Sequence, residues 1–361
     1  MPAGVLRPKV IAATAVGLLA IFLPPLIVPD PFIMHLLVLS SIYAALATSL
    51  NLVMGYSGLL SLGHQAFFGI GAYASVLLSG LGIPLWGAVA AVGGVSTLAA
   101  RGIGAVLLRM RSAFFVIATV AFAEILRIVS INWVGLTNGP MGVSGVEPLH
   151  LGPIDLSDPY IAYYPTSILA AVSVLLVALV VRSRVGNALV AMREAEYVAR
   201  SVGIDTNRHA LWSVLVSAFI AGLAGSMYAH YVQFVSPDVF FFPIMVTLVV
   251  MVLAGGMGTL AGPLVGAVVF TILPEVLRAG DRYRLVIYGT IIVLLVRFAP
   301  EGIWGLVLKG LGAIRRSRRA DADSSPLAGD PGRGGAEPMI EQTKSVIETD
   351  QKTDASGQGV S

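Results

Sequence analysis

The 361-residue chain is 56% hydrophobic and only 12% charged, which is more apolar side chain than a soluble core of this size can bury, so much of it must face lipid. Cysteine is absent, which excludes disulfides, thiolate catalysis and cysteine-based metal sites. The net charge of +3 comes mostly from Lys and Arg residues that flank apolar runs, so it indicates orientation in a membrane and no nucleic-acid partner.

Long continuous apolar runs divide the chain, which predicts an all-α integral membrane protein rather than a β-barrel. The first run could be a signal peptide, but Pro24 and Pro25 lie inside it and no small-residue cleavage site follows, so we count it as a span. The eighth run is short and ends in Gly255 and Gly256, which predicts a broken or re-entrant helix. We therefore predict a polytopic bundle of about ten transmembrane helices, at 10–29, 33–54, 58–81, 85–108, 113–132, 161–181, 210–233, 243–256, 259–276 and 285–299.

The distribution of charge tests this count, because loops on the cytoplasmic side of a membrane are enriched in Lys and Arg. With a cytoplasmic N-terminus, ten crossings also place the C-terminus inside. The inner loops, at 109–112, 182–209 and 300–361, then hold most of the flanking basic residues, whereas the outer loop at 133–160 has no Lys or Arg. One predicted outer loop does not fit this charge rule, because it contains Arg278, Arg282 and Arg284. The ninth and tenth spans, which flank it, are therefore the ones that the charge rule supports least.

The composition changes near the C-terminus, which predicts two regions. Residues 1–314 form the predicted transmembrane domain. Residues 315–361 begin with Arg-Arg-Ser-Arg-Arg and continue with few large apolar side chains, so we expect a disordered cytoplasmic tail. The basic run either anchors the preceding span or binds anionic lipid headgroups.

The loop at about 182–208 is too polar to insert into a bilayer and too regular to be a linker. It predicts a short cytoplasmic helix that Asn187 caps, that Glu196 and Arg200 stabilise as an i,i+4 pair, and that Gly203 ends in a left-handed conformation. Its apolar side chains need cover outside the membrane. A partner protein and the membrane interface remain about equally good covers for Leu189, Met192, Tyr197 and Val198.

This loop resembles the coupling loop of permeases in bacterial ATP-binding-cassette importers, specifically the LivM-type subunits of branched-chain amino acid importers. The residues that carry the resemblance are Gly186, Ala191, Arg193, Glu194, Glu196, Ala199 and Gly203. Six other segments resemble the same family in the same order, namely 50–67, 122–127, 137–145, 253–263, 273–275 and 298–302. The chain departs from the family where Gly-Asp-Tyr commonly precedes the fifth span, because Ser112, Ala113 and Phe114 stand there.

The resemblance implies a permease subunit that moves branched-chain or related amino acids across a prokaryotic cell membrane by alternating access. Arg193, Glu194 and Glu196 would lie on a helix that docks onto an ATP-binding subunit. The chain has no Gly-x4-Gly-Lys-Ser/Thr loop, so ATP hydrolysis would occur on other subunits and the permease itself would be non-catalytic, without metal or cofactor.

The same resemblance implies the partners of the chain. They are a second, LivH-like permease subunit, two ATP-binding cassette subunits and a periplasmic or extracellular solute-binding protein, in contact with membrane lipid. Urea and short-amide permeases also resemble this group, so the identity of the transported solute stays open.

Polar residues inside predicted spans must face the bundle interior or a cavity. We therefore regard Ser57, Ser61, His64, Gln65 and Glu124 as candidates for a translocation pathway. A packed, hydrogen-bonded role is the commoner alternative for His64, and Glu124 can instead pair with Arg127 three residues later. Three further residues predict a close helix contact because they fall at i, i+4 and i+8 on one helix face, namely Gly258, Gly262 and Gly266.

Two other classes of function compete with this interpretation. A secondary transporter that works without ATP would tolerate changes at Arg193 and Glu194. An intramembrane serine protease would use Ser57 within its Gly-Tyr-Ser-Gly run. That protease would also need a base within hydrogen-bond reach, and His230 is predicted near the opposite end of its span.

Overall fold

The computed structural model describes residues 24–83, 85–110, 113–148, 150, 151, 154, 155, 157–277, 289, 290, 293, 294, 297 and 302–306. All of them belong to one compact unit, Met1–Lys309. Several predictions lie wholly or largely outside the described residues: the first span at 10–29, the tenth span at 285–299, the loop with Arg278, Arg282 and Arg284, and the tail at 315–361.

The described part of the chain is mostly helical, as the apolar runs predict. Its α-helices are α1 Pro24–Ile27, α2 Pro31–Asn51, α3 Gln65–Gly80, α4 Leu85–Leu107, α5 Ala113–Asn132, α6 Val134–Thr137, α7 Pro159–Val181, α8 Arg184–Ser201, α9 Thr206–Val232, α10 Phe242–Gly256 and α11 Gly262–Val276. A π-helix at Leu52–Tyr56 continues α2, and short 3-10 helices occupy Gly139–Met141 and Pro237–Phe240.

Four two-residue strands complete the described elements: β1 Val143–Ser144, β2 His150–Leu151, β3 Ile154–Asp155 and β4 Phe234–Val235. They form two antiparallel pairs, β1 with β4 and β2 with β3. In the first pair Val143 lies opposite Val235. This pair ties the loop that follows α5 to the loop that follows α9.

Five described helices are long and apolar enough to cross a membrane, namely Pro31–Tyr56, Gly87–Leu107, Ala113–Asn132, Pro159–Val181 and Thr206–Val232. Helices α3, α10 and α11 are apolar but shorter. These eight correspond to the second to ninth predicted runs. The total of about ten stays a prediction, because the two remaining runs fall largely outside the described residues.

Aspartate followed by proline starts two of the spans. Asp30 and Asp158 each accept a hydrogen bond from the amide two residues further on, at 2.8 and 2.9 Å. Pro31 and Pro159 take the first helical position, where the missing N–H would have had no helical partner. The sequence therefore fixes where α2 and α7 begin.

Helices α2 and α9 form the centre of the bundle. Their most apolar stretches are 78% and 67% buried, against 22% for α5. The backbones of α3 and α9 touch directly, because Gly71 lies against Gly222 and Gly225 lies against Phe68. The poorly covered α5, in contrast, leaves most of its surface open to another molecule or to lipid.

Two of the apolar helices are interrupted. The first interruption follows the π-helix, where the chain runs irregularly to α3, so the third predicted span begins at Gln65 and not at residue 58. The second separates α10, which ends at Gly256, from α11, which begins at Gly262. This second break is the one that the two glycines at the end of the eighth run predict.

Candidate functional site

Helix α8 is the helix predicted for the polar loop between the sixth and seventh runs. Its N-cap is Ser183, whose side chain accepts a hydrogen bond from the amide of Val185 at 3.2 Å. The sequence predicts Asn187 as the cap. This prediction is wrong, because the helix begins three residues before Asn187, directly after α7. At the other end Gly203 has a φ of +87°, the left-handed conformation that was expected there.

A bend divides α8 into two halves. Ala195 has φ −156° and ψ 86°, which is not helical. Before the bend Leu189 and Met192 are buried in the bundle, whereas beyond it Tyr197 and Val198 are 80% and 61% exposed. One half of the helix is therefore anchored, and the other presents apolar side chains to the surroundings.

The remaining residues of the predicted coupling set are divided between the two sides of α8. Gly186 and Ala199 are buried, and Gly186 lies against the backbone of Val181. Ala191 is half-buried. Glu194 and Glu196 are exposed. Glu196 forms an i,i+4 ion pair with Arg200 at 2.6 Å, as the spacing predicts.

Arg193 connects α8 to both interrupted helices. Its Nη1 donates a hydrogen bond of 2.6 Å to the carbonyl oxygen of Gly55 in the π-helix, and Nη2 and Nε donate to Glu194 Oε1 at 2.5 and 3.2 Å. A Cβ on Gly58 would lie 2.8 Å from Arg193 Cγ, and one on Gly258 would lie 3.1 Å from Nη1. Both glycines have positive φ, +72° and +75°. Backbone conformation therefore favours glycine at both positions, and at Gly58 a Cβ would in addition clash with the Arg193 side chain.

Asn51 joins the same two interruptions from the end of α2. Its Nδ2 donates to the carbonyl oxygen of Thr259 at 2.7 Å, and its Oδ1 accepts from the amide of Gly258 at 2.8 Å. The side chain is fully buried. Asn51 is not among the sequence-predicted site residues, although a lone amide at the end of a long apolar run is a signal that could have found it. We name the whole set the Arg193 junction: Asn51, Gly55, Gly58, Arg193 and Gly258.

Two of the candidate pathway residues, His64 and Ser57, are hydrogen-bonded inside the bundle. His64 Nε2 lies 2.8 Å from Ser49 Oγ and 3.4 Å from Ser217 Oγ. Ser57 Oγ donates to a backbone carbonyl of the preceding turn at 2.6 Å and accepts from Ser213 at 3.3 Å. These contacts hold the irregular segment between α2 and α3 against α9.

Ser61 lies on the same segment and Gln65 is the first residue of α3, and both are also buried. Ser61 borders a small internal cavity together with Thr119 and Phe122 of α5. The Oε1 atom of Gln65 is buried, and in the described part of the chain it has no hydrogen-bond partner.

A second buried histidine, His230, lies near the other end of α9. Its Nδ1 is 2.7 Å from the carbonyl oxygen of Glu147, and its Nε2 is 2.8 Å from Ser75 Oγ, which also contacts Ser226 at 2.6 Å. Because a carbonyl can only accept, Nδ1 carries the hydrogen, and in the neutral imidazole Nε2 then accepts from Ser75. His230 is thus hydrogen-bonded to Ser75 and not to Ser57, so the pair of Ser57 and His230 that a serine protease would need is not formed.

Glu124 and Arg127 form an ion pair on α5. Arg127 Nε donates to both carboxylate oxygens, at 2.9 and 3.0 Å, and Nη2 donates to Oε1 at 2.6 Å. The Glu124 side chain is 44% exposed and that of Arg127 is 27% exposed. The pair lies beside the buried stripe of α5 that contains Thr119, Ala123 and Ser130.

Comparison with known proteins agrees with this membrane architecture. Residues 32–296 match the model of the family described as branched-chain amino acid transport system, permease component. The chain belongs to this family.

This permease is also similar in sequence to individual transport proteins. It is 32% identical over 289 residues to the high-affinity branched-chain amino acid transport system permease proteins LivM of Salmonella typhimurium and Escherichia coli, covering 73% of this chain and 68% of each relative. It is 28% identical over 287 residues to LivH of Escherichia coli, covering 74% of this chain and 92% of that protein. No solved structure matches the chain. The permease is therefore a multi-pass membrane transport component, a generally non-catalytic class of protein.

The three glycines predicted to share a helix face in this permease do not do so. Gly262 and Gly266 lie on α11 against the backbone of α10, close to Gly255. Gly258 lies in the turn between the two helices. The i, i+4, i+8 spacing failed because α10 ends at Gly256, so Gly258 serves the junction and not the helix contact.

An open groove of about 700 Å³ separates the anchored half of α8 from the start of α9. Its lining includes Arg184 and Asn187 from α8, and Arg208 and Trp212 from α9. In this permease, therefore, α8 contacts the junction through Arg193 and borders an open groove near the start of α9, which it also touches through a hydrogen bond of 2.8 Å from Arg200 Nε to the Thr206 hydroxyl.

Proposed function

We propose that this permease is the membrane subunit of an ATP-driven importer and that α8 is its coupling helix. The observation that carries the proposal is the position of Arg193. This residue lies on a helix that is polar enough to stay outside the bilayer, yet its side chain reaches the backbone of one interrupted membrane helix and packs against the break of another.

The chemistry of the contact suits the transmission of force. The last carbonyl groups of a helix have no partner within the helix and carry partial negative charge. The guanidinium of Arg193 supplies a charge-assisted hydrogen bond to one of them, the carbonyl of Gly55. A rigid-body shift of α8 would therefore pull on the π-helix and on the turn at Gly258 together. Interrupted helices are the places where such bundles bend.

The exposed half of α8 is suited to a protein partner. Tyr197, Val198 and Val202 are all more than half exposed, and Glu194, Glu196 and Arg200 surround them. An apolar centre with a charged rim is typical of protein interfaces. Helices that lie on a membrane are instead usually rich in Lys and Arg on the polar face, whereas charges of both signs are paired on this rim, so we favour an ATP-binding subunit over lipid as the cover.

The rest of the assembly follows from this assignment. ATP is cytoplasmic, so α8 and both termini would lie on the cytoplasmic side. A second, LivH-like permease subunit, two ATP-binding subunits and an external solute-binding protein would complete the importer. The similar LivM and LivH proteins are named for branched-chain amino acid transport, and we propose these or related amino acids as the solute. Urea and short amides are the alternative.

Affinity purification of the full chain from its native membrane in mild detergent tests the central claim. We expect an ATP-binding subunit to copurify, and we expect the double substitution Tyr197→Ser and Val198→Ser to abolish its recovery, while Arg184→Ala at the anchored start of α8 leaves it unchanged. Absence of any ATP-binding protein from the wild-type sample would contradict the proposal, and ATP-independent uptake by the purified chain would favour a secondary transporter.

A further inference from the structure

The ion pair on α5 lies in apolar surroundings, where a salt bridge with a purely structural role would be unfavourable in free energy. Glu124 lies ~12 Å before the Asn132 end of α5, at 1.5 Å per residue, well inside an apolar span. Charged groups at such positions normally face the bundle interior or a water-filled cavity. Here both side chains are partly exposed, 44% and 27%, on the span that the bundle covers least.

The hydrogen-bonding capacity of the pair is only partly used. Arg127 has five N–H groups, and its three hydrogen bonds to Glu124 engage only Nε and one N–H of Nη2. The two N–H groups of Nη1 and the second of Nη2 have no hydrogen-bond partner in the described part of the chain. The carboxylate of Glu124 likewise retains lone pairs. A donor site for an anion and an acceptor site for a cation therefore lie side by side.

We propose that Glu124 and Arg127 bind the zwitterionic headgroup of an amino acid during its passage through the permease, with the carboxylate on Arg127 and the ammonium on Glu124. The proposal rests on the importer function proposed above and narrows its substrate class. The two protein charges sum to zero and so do those of the ligand, so binding adds two charge-assisted contacts to the existing ion pair and leaves no charge unpaired.

A neutral solute fits this site less well. Urea or a short amide can hydrogen-bond to the unused groups of the pair, but it offers no counter-charge to Arg127 or to Glu124, so its contacts are weaker. An amino acid satisfies both. The exposed side chains of Ile125 and Ile128 lie on the adjacent face of the same helix, and they provide an apolar surface for a branched aliphatic side chain.

The surroundings also place the pair on a route to one end of the bundle. Asp238, an exposed residue of the 3-10 helix after α9, acts electrostatically on Arg127. That 3-10 helix packs against α5 and α3. Under the proposed orientation this end faces the solute-binding protein, so the charged pair would lie beneath the entrance on the outer side.

A double-substitution cycle separates a ligand site from a structural salt bridge. Removing one charge strands the other inside the membrane, so Glu124→Gln and Arg127→Gln alone are both expected to reduce folding and uptake. The double variant Glu124→Gln/Arg127→Gln leaves no stranded charge. We expect it to unfold within about 3 °C of the wild-type complex and to hydrolyse ATP, yet to import leucine at least about tenfold more slowly.

The assay uses the complete importer in proteoliposomes with saturating leucine-loaded solute-binding protein, so that the rate reports the permease. Asn132→Ser, an exposed change on the same helix, is the control and should retain uptake within about twofold. Recovery of uptake in the double variant to within about twofold of wild type would overturn the zwitterion site. Wild-type uptake of urea or acetamide but not leucine would also overturn it and leave the importer function intact. Absence of ATP-dependent uptake of any of these probes would instead contradict the importer function.

Discussion

Replacement of Arg193 tests the mechanical role of the junction directly. The hydrogen bond to the Gly55 carbonyl is charge-assisted, and such bonds contribute about 1.5–3 kcal/mol. The Arg193 side chain is 34% exposed, so we take the lower end of that range. The ion pair with Glu194, which is 66% exposed, lies within α8 and adds nothing to this attachment. Arg193→Ala should therefore weaken the attachment of α8 to the π-helix by about 1.5 kcal/mol, or about tenfold.

The assay measures ATP hydrolysis and solute uptake on the same proteoliposomes. Because the buried half of α8 and the exposed docking half remain, we expect Arg193→Ala to hydrolyse ATP while the solute imported per ATP falls about tenfold. Arg193→Lys should be intermediate, since an ammonium keeps the charge but loses the planar fork. Arg184→Ala, on the same helix and remote from the junction, should behave as wild type. A ratio of uptake to hydrolysis within about twofold of wild type for Arg193→Ala would refute the coupling role.

Three further substitutions probe the same framework. Gly58→Ala should lower the free energy of unfolding of the detergent-solubilised complex by about 1–3 kcal/mol more than Gly82→Ala, because overpacking is added to backbone strain at Gly58 alone of the two. Both glycines have positive φ, but only Gly58 would meet a neighbouring side chain; equal melting temperatures would contradict the predicted clash. Asn51→Leu should cost about 2–3 kcal/mol, because it leaves a buried amide and a buried carbonyl unpaired; thermal unfolding with no loss would contradict this. Thr119→Val removes the acceptor of the Leu62 amide at 3.1 Å and should reduce uptake severalfold with hydrolysis preserved; unchanged uptake would argue against transmission through that contact.

The sequence predicts the helical elements well because their signals are local. Continuous apolar runs locate the membrane helices, and the spacing of Glu124 and Arg127 predicts their pair. The failures have local causes too. Ser183 and Asn187 are both good caps, and the choice between them depends on where the preceding span ends. The regular spacing of Gly258, Gly262 and Gly266 suggests a single helix face, but the helix ends at Gly256, before the first of them.

The contacts of the junction could not be predicted in this way. Arg193 and Gly55 are 138 residues apart, and Asn51 and Gly258 are 207 apart. No local pattern specifies which carbonyl a guanidinium will reach, because that depends on how the whole bundle packs. The resemblance to a family indicated that Arg193 matters, and the structure supplies the physical partner that resemblance alone does not provide.

The junction and the ion pair on α5 are joined by a short stretch of contacts. The segment that follows the π-helix passes from Gly58 to Leu62, whose amide donates to the Thr119 hydroxyl of α5, and Gly63 lies against the backbone of Thr119. Glu124 lies five residues beyond Thr119 on the same helix. A movement of α8 that pulls on Gly55 would therefore reach the helix with the charged pair through the Leu62–Thr119 hydrogen bond and the close backbone contact at Gly63. Because a backbone contact at glycine leaves little room to slip, this route would couple the proposed docking helix to the proposed solute site.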